Sequence, residues 1–111
     1  MGKILYKHCA AGVKRIGLEL GGNAPFIVFE SADLDNAVGC VMSSKFRNAG
    51  QTCVSTNRIF VHKSIHDSFV EKLRNAMSGL VVGSGLNANT NVGPLINQAQ
   101  FTKVRKSHHT F

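Results

Sequence analysis

The residue of this chain best suited to nucleophilic chemistry is a cysteine that follows a helix-like segment and a glycine. Residues 45–53 read KFRNAGQTC, so Cys53 comes three residues after Gly50 and six after Arg47. A thiol attacks as its thiolate, which the backbone N–H groups of a tight turn and a nearby positive charge both favour. Cys53 is therefore a candidate nucleophile. The alternative is a small apolar residue at the entrance to a strand.

Two charged side chains could assist such a thiol. Glu19 lies between Leu18 and Leu20 and precedes two glycines. A carboxylate buried in an apolar strand suits a general base, whereas strand alternation would simply point Glu19 into water. Arg47 is a forked donor that can hold a carboxylate through two bonds, or a surface residue near the C-terminus of its helix.

The apolar pattern predicts alternating helices and strands that would position these residues. We expect strands at residues 13–20, 25–29 and 57–62. We expect helices at residues 3–11 with Gly12 as the C-cap, from 31 or 33 up to Gly50, from 64 to 80, and from 97 to 106. This order indicates an α/β fold with parallel strands alternating with helices.

Two of these helices carry an apolar stripe that should face the sheet. The stripes consist of Leu34, Ala37, Val38, Val41, Met42 and Phe46, and of Ile65, Phe69, Val70, Leu73, Ala76, Met77 and Leu80. Ser31 or Asp33 can cap the first of the two helices. Ser64 with Asp67 resembles a capping box at the start of the second.

Composition bounds the class of protein. With 111 residues the chain has room for one modest domain, and no apolar run approaches membrane-spanning length. The net charge of +7 comes from scattered Lys and Arg residues, so we read it as solvated surface rather than a nucleic-acid site. Three cysteines without CxxC spacing favour free thiols in a reducing compartment. We expect no metal site, and we interpret His108-His109 as part of a polar tail.

Taken together, LELGGNAPFIVF at residues 18–29 and FRNAGQTC at residues 46–53 resemble the aldehyde dehydrogenase superfamily. That family combines a Glu-Leu-Gly-Gly run with a later Gly-Gln-x-Cys run, and here Glu19 and Cys53 are 34 positions apart (53 − 19). The resemblance extends over residues 2 to about 104. Within the family, SKFRNAGQTCV at residues 44–54 is most similar to the succinate-semialdehyde dehydrogenases.

The resemblance implies a role for each candidate residue. Cys53 would attack the aldehyde, Glu19 would activate water, and Arg47 would bind the carboxylate of succinate semialdehyde. Leu20 and Gly21 would border the nicotinamide of NAD or NADP. Some relatives carry a second cysteine two residues after the nucleophile and use the pair as a redox switch. Ser55 stands there in this chain, so that switch is not expected.

The resemblance also implies a partial aldehyde dehydrogenase fold with an incomplete catalytic domain. Residues 1–20 would end the NAD(P)-binding domain, and residues 21–111 would form the N-terminal part of the catalytic domain. The parent enzyme would be a homo-oligomer of the mitochondrion or cytoplasm that degrades GABA-derived aldehyde, with no nucleic-acid or membrane partner. We expect this chain to be inactive alone.

Two other functional hypotheses follow from the sequence. The chain could be a truncated, non-catalytic product that binds or regulates full-length subunits through its strand edges. It could instead be a basic nucleic-acid binder, which predicts affinity that falls steeply with salt. Faster alkylation of Cys53 than of Cys9 and Cys40 would separate the enzymatic hypothesis from both.

Overall fold

The computed structural model of the chain describes residues 1–108, which form a two-stranded parallel sheet and four α-helices. In chain order, the elements are α1 (Gly2–Ala10), β1 (Ala24–Val28), α2 (Leu34–Phe46), β2 (Thr56–Val61), α3 (His66–Ser78) and α4 (Gln98–His108). In the sheet, Phe26 lies beside Ile59 and Val28 beside Val61. Because β1 and β2 run parallel and α2 connects them, this part of the chain is a β-α-β unit, as the sequence predicts.

The core lies where α2 and α3 cover one face of the sheet. Its most buried members are Val28 of β1, Val41 of α2 and Phe69 of α3, each no more than 2% exposed. The partly buried side chains packed around this core are Phe26, Ala32, Leu34, Met42, Val61, Ile65, Leu73 and Ala76. The first predicted stripe is confirmed by burial of Ala37, Val38 and Val41.

The second predicted stripe is partly wrong. Val70 and Met77 of α3 are each 44% exposed, while Ile65, Leu73 and Ala76 do pack against the core. Val70 directly follows the buried Phe69, and successive helical residues point about 100° apart. The face of α3 that meets α2 is therefore narrower than the apolar pattern predicted.

The opposite face of the sheet carries apolar side chains that are exposed to solvent. Ile27 and Phe60, which are neighbours across the two strands, are 59% and 52% exposed. Phe29, just beyond β1, is 67% exposed. We call these three residues the outer face. The residues of β1 that point toward the helices are therefore buried or partly buried, whereas those that point outward are exposed.

The predicted strand at residues 13–20 is wrong. Residues 14–23 have no regular secondary structure. A strand needs a neighbour with which to exchange backbone hydrogen bonds, and β1 pairs with β2 while no described strand lies beside residues 14–23. Alternation of apolar and polar residues alone could not reveal that the partner was missing.

The predicted helix ends are partly confirmed and partly corrected. Asp33, rather than Ser31, caps α2, since its Oδ1 accepts from the backbone N–H of Asp35 at 3.0 Å and of Asn36 at 3.1 Å. The helix ends at Phe46, four residues before the expected Gly50. At α1 the C-cap is Ala11 rather than Gly12.

The start of α3 differs from the predicted capping box. Residues Lys63–Ile65 form a 3₁₀ turn before the helix, and His62 Nδ1 accepts from the backbone N–H of Ser64 at 3.4 Å. Asp67 instead lies 2.8 Å from His66 Nδ1. The imidazole thus caps the 3₁₀ turn, whereas at α3 itself the N-cap residue Ile65 makes no side-chain capping bond.

The C-terminal helix α4 runs to His108, two residues beyond the predicted end. The interpretation of His109 as part of a tail lies outside the described residues. Within residues 1–108, no helix combines the length and apolarity that a membrane crossing requires.

Candidate active site

Cys53 lies on the connection between α2 and β2, residues 47–55, which we call the cysteine loop. After α2 ends, Arg47–Gly50 make one tight turn in which Asn48, Ala49 and Gly50 have φ values of 52°, 55° and 74°. The left-handed region costs a residue with a Cβ roughly 1–2 kcal/mol. The turn is therefore strained, and it leaves the Cys53 thiol exposed to solvent.

Glycine is required at position 50 for two reasons. Its φ of 74° lies in the left-handed region, and a Cβ there would approach the carbonyl oxygen of Lys45 to 3.0 Å. The loop can fold back on the end of α2 because that space is free. Gly50, which we predicted to end a helix, instead lies in the left-handed turn of the cysteine loop.

The far end of the cysteine loop is anchored in the core. Ser55 and Thr56 are 1% and 4% exposed, and Thr56 Oγ1 lies 2.7 Å from Ser44 Oγ of α2. Among the described residues, neither Ser55 Oγ nor Thr52 Oγ1 has a hydrogen-bond partner. The cysteine is thus held between a strained turn on one side and buried hydroxyls on the other.

Glu19 and Cys53 line the same cleft. The cleft has a volume of about 650 Å³, and its walls comprise Met1, Glu19, Leu20, Gly21, Gly22, Gly50, Gln51, Thr52, Cys53, Gln100 and Lys103. The irregular segment 14–23 forms one wall and the cysteine loop forms the other. Two residues far apart in the sequence are therefore brought to one open site, although Glu19 is exposed rather than buried.

The two walls meet backbone to backbone at Gly22. A Cβ at this position would lie 2.3 Å from the carbonyl oxygen of Cys53, closer than van der Waals contact permits. Side chains of β2 fix the same wall, because Asn57 Nδ2 donates to Gly22 O at 3.3 Å and Arg58 donates to Asn23 O at 2.9 Å. These contacts position the segment that carries Glu19 without any strand pairing.

Arg47 is not among the residues that line this cleft. It is the C-cap residue of α2 and is exposed. The structure thus brings together Cys53, Glu19, Leu20 and Gly21 and leaves Arg47 on the adjoining surface. Its role in binding a carboxylate stays a prediction.

Among the residues of the cleft that the sequence did not assign to the site are Gln51, Gln100 and Lys103. Gln100 and Lys103 reach the cleft from α4, and no local pattern in that helix points to a partner fifty residues earlier. Gln51 was visible as part of the Gly-Gln-x-Cys run, but its contacts were not. Among residues 1–108, no group of three or more His, Cys, Asp or Glu side chains could hold a metal ion.

Comparison with known proteins decides the family. A sequence model described as the aldehyde dehydrogenase family matches residues 1–110. The chain belongs to the aldehyde dehydrogenase family. Rat succinate-semialdehyde dehydrogenase, named as mitochondrial, is 58% identical over 106 residues, which are 95% of this chain and 20% of the rat protein. The family resemblance of the sequence is therefore confirmed.

Two further proteins are similarly close to this chain. The 3-sulfolactaldehyde dehydrogenase of Pseudomonas putida is 54% identical over 106 residues, covering 96% of this chain and 22% of that one. The crystal structure of an E. coli NADP-dependent enzyme superposes with a TM-score of 0.87 at 52% identity, over 95% of this chain and 22% of that one. The chain spans about a fifth of the length of these relatives, and the predicted partial aldehyde dehydrogenase fold is confirmed.

Proposed function

We propose that this chain carries the cysteine chemistry of an NAD(P)-dependent oxidation of an aldehyde to a carboxylic acid. The observation that supports this most directly is the shared cleft, where Cys53 and Glu19 border one open volume. A nucleophile and a base that serve the same carbon in turn must both reach it, and a common cleft provides for that.

In the proposed mechanism, Cys53 Sγ attacks the aldehyde carbon and forms a thiohemiacetal, while the Cys53 backbone N–H donates to the developing oxyanion. NAD(P)⁺ bound beside Leu20 and Gly21 would supply the hydride acceptor for oxidation of this adduct to a thioester. Glu19 then removes a proton from water, which attacks the thioester carbon and releases the acid and the free thiol.

Leu20 and Gly21 fit a nicotinamide neighbour. Leu20 is 49% exposed, and, its chain neighbours aside, no heavy atom of the described residues lies within 4 Å of the position that a Gly21 Cβ would occupy. An apolar side chain beside open space offers a planar ring both contact and room. We propose that these two residues border the nicotinamide. We also propose that residues 1–20 belong to the NAD(P)-binding part of the fold and residues 21–111 to the catalytic part.

We propose succinate semialdehyde as the substrate, oxidised to succinate as in GABA degradation. The rat relative is named for succinate semialdehyde and the P. putida relative for 3-sulfolactaldehyde, and both compounds are short aldehydes with an anionic far end. Arg47 is the residue that we assign to that anion, because a guanidinium can bind a carboxylate or a sulfonate through two parallel bonds.

We infer that the chain by itself supplies no useful turnover and that a longer, homo-oligomeric subunit, mitochondrial or cytoplasmic, is the active form. Purified chain mixed with NAD⁺ or NADP⁺ and succinate semialdehyde should give no steady formation of reduced nicotinamide. Sustained, protein-dependent formation would contradict this inference and leave the roles of Cys53 and Glu19 open to direct test.

The catalytic roles are tested by transplanting residues 1–106 into the matching segment of the rat enzyme. The chimera should oxidise succinate semialdehyde, and Cys53→Ala should abolish this. Glu19→Gln should lower steady turnover by roughly 10²–10⁴-fold, the usual contribution of a general base, while one equivalent of reduced nicotinamide still forms rapidly. Turnover that survives Cys53→Ala would overturn the proposal.

A second candidate function is supported by the outer face of the sheet. Three exposed apolar side chains beside unpaired strand edges form a surface that another subunit could cover. In this case the chain would bind or regulate longer subunits of the family without catalysing. Co-purification with the rat enzyme, lost on changing Phe60→Thr, would favour this candidate, and a chain that elutes alone would count against it.

A further inference from the structure

The side-chain amide of Gln51 connects the cysteine loop to a segment more than forty residues later. Its Oε1 accepts from the backbone N–H of Ile96 at 2.8 Å. Its Nε2 donates to the carbonyl of Asn48 at 3.0 Å and lies 3.5 Å from the carbonyl of Pro94. Gln51 therefore uses both ends of its amide, one toward residues 94–96 and one toward its own turn.

The turn that Gln51 contacts is the strained one. Asn48 also bonds to Gln51, because its Nδ2 donates to the Gln51 carbonyl at 3.3 Å. Residues such as Asn48 and Ala49 remain in the left-handed region where surrounding contacts hold them there. These two side-chain bonds, together with the backbone bond from Gln51 N to Asn48 O at 3.1 Å, supply such contacts immediately before the nucleophile.

The other partner of Gln51 is the segment that follows a closed loop. Residues 94–96 follow a loop that is closed where Val82 pairs with Val92 and where Gly83 N donates to Val92 O at 3.0 Å. A contact with this closed loop restrains Gln51 from outside the turn. Gln51 thus restrains the cysteine loop through two contacts, one with its own turn and one with residues 94–96.

We propose that Gln51 is a positioning residue, which fixes the cysteine loop against residues 94–96 and so holds the Cys53 thiol in the cleft. This inference rests on the proposed function, because it assigns Gln51 a role in presenting a reactive thiol. Gln51 need not touch the substrate. It acts through the backbone of residues 48–53.

The test compares alkylation rates within one chain. Limiting iodoacetamide and peptide mapping give the rate at Cys53 relative to Cys40, which is also exposed. The ratio should exceed one in the unchanged chain. Gln51→Ala should lower it roughly two- to tenfold, the factor expected from the loss of about one net hydrogen bond. Ile96→Ala is the matched control, because it keeps the backbone N–H and trims a side chain that is 77% exposed.

A second measurement separates positioning from loss of folding. Hydrogen exchange at the Ile96 amide should be faster in Gln51→Ala than in the unchanged chain. In Gln51→Glu, which retains the acceptor but loses the donor to Asn48, this exchange should be slower than in Gln51→Ala. Far-UV circular dichroism should be the same for all variants.

The possible results are distinguishable. A ratio near one in the unchanged chain would overturn the reactive thiol of the proposed function and, with it, the role of Gln51. A high ratio that Gln51→Ala leaves unchanged, while Ile96 exchange accelerates, would overturn the positioning role alone. A high ratio that falls in Gln51→Ala and not in Ile96→Ala would support both.

Discussion

Gly22 is the residue at which the two walls of the cleft touch, and it should tolerate no side chain. Gly22→Ala would force a methyl group against the Cys53 carbonyl, so the cleft must open or the chain must lose stability. We expect a destabilisation of about 1–3 kcal/mol, the usual effect of overpacking. Chemical denaturation measures it. Gly21→Ala is the control, because its methyl group would point into open space, and an equal effect at both positions would contradict the steric account.

Ser55 should be replaceable by alanine without loss of stability. Its hydroxyl is buried and, within residues 1–108, has no hydrogen-bond partner. Burying an unsatisfied hydroxyl is unfavourable, so Ser55→Ala should leave the free energy of unfolding unchanged or raise it by up to about 1 kcal/mol. Urea unfolding of the two chains provides the comparison. A clear loss of stability would mean that the hydroxyl is satisfied after all.

For single residues, the sequence predicted which side chains belong to the site better than it predicted the contacts that those side chains make. Cys53 and Glu19 were singled out by type and spacing, and they do border one cleft. The bond from Ile96 to Gln51 spans 45 residues, and no local pattern encodes a contact of that range. Arg47 is an exposed residue at the C-terminal end of α2, which is the alternative that its sequence position had left open.

Among the elements, α3 contributes one fully buried side chain to the core. Phe69 is 1% exposed and lies in the core with α2 and β1, so Phe69→Ala should destabilise the chain by about 3–5 kcal/mol. Val70→Ala, at a neighbouring position that is 44% exposed, should have a much smaller effect. Thermal or urea unfolding of both variants tests this. Equal losses would show that α3 does not pack as described.

An ion pair also joins α3 to the start of α2. Lys72 Nζ lies 2.6 Å from Asp35 Oδ1. This hydrogen bond is the larger cause, and the negative charge of Asp35 the smaller one, of a Lys72 pKa that is raised above 10.5. Because the folded-state pKa is raised, the charged lysine stabilises the folded chain. This stabilisation is fully present below pH 10.5, the unfolded-state pKa, and it is lost as pH rises through the folded-state pKa.

Because both groups are exposed, the pair should contribute little. Lys72→Met should lower the melting temperature slightly at neutral pH, by less than Phe69→Ala does. The difference from the unchanged chain should disappear at strongly alkaline pH. A difference that persists there would point to lost packing of the lysine stem rather than a lost charge.

Most elements could be predicted because their signals are local. The cap at Asp33, the stripe of α2 and the apolar run of β1 each lie within a few residues. The strand expected at residues 13–20 failed because strand formation depends on a partner, which is not a local property. The same segment still reaches the cleft, because Asn57 and Arg58 bind its backbone from β2.

The whole molecule is more extended than a self-contained domain of its size. Its radius of gyration is 17.9 Å, whereas a compact domain of this length would have about 13 Å. The excess agrees with the outer face of the sheet, where Ile27, Phe29 and Phe60 remain exposed. Much apolar surface that a larger assembly could cover is therefore open to solvent.

This surface should make the chain self-associate as its concentration rises. Phe60→Thr, which keeps β propensity while removing the exposed ring, should shift sedimentation toward the monomer. Val70→Thr is the control, since it changes an exposed apolar residue on α3, away from the sheet. Unchanged association in Phe60→Thr would show that the outer face is not the contact.

The left-handed turn at Asn48, Ala49 and Gly50 also has a consequence for chemical synthesis. Its backbone has the handedness that a mirror-image amino acid prefers, so D-alanine at position 49 should fit without strain. Cys40 and Cys53 flank this position and provide natural junctions for joining a synthetic peptide to the rest of the chain. A semisynthetic protein with inverted chirality at this one atom would fold as before and hold the turn more firmly than the natural residue does.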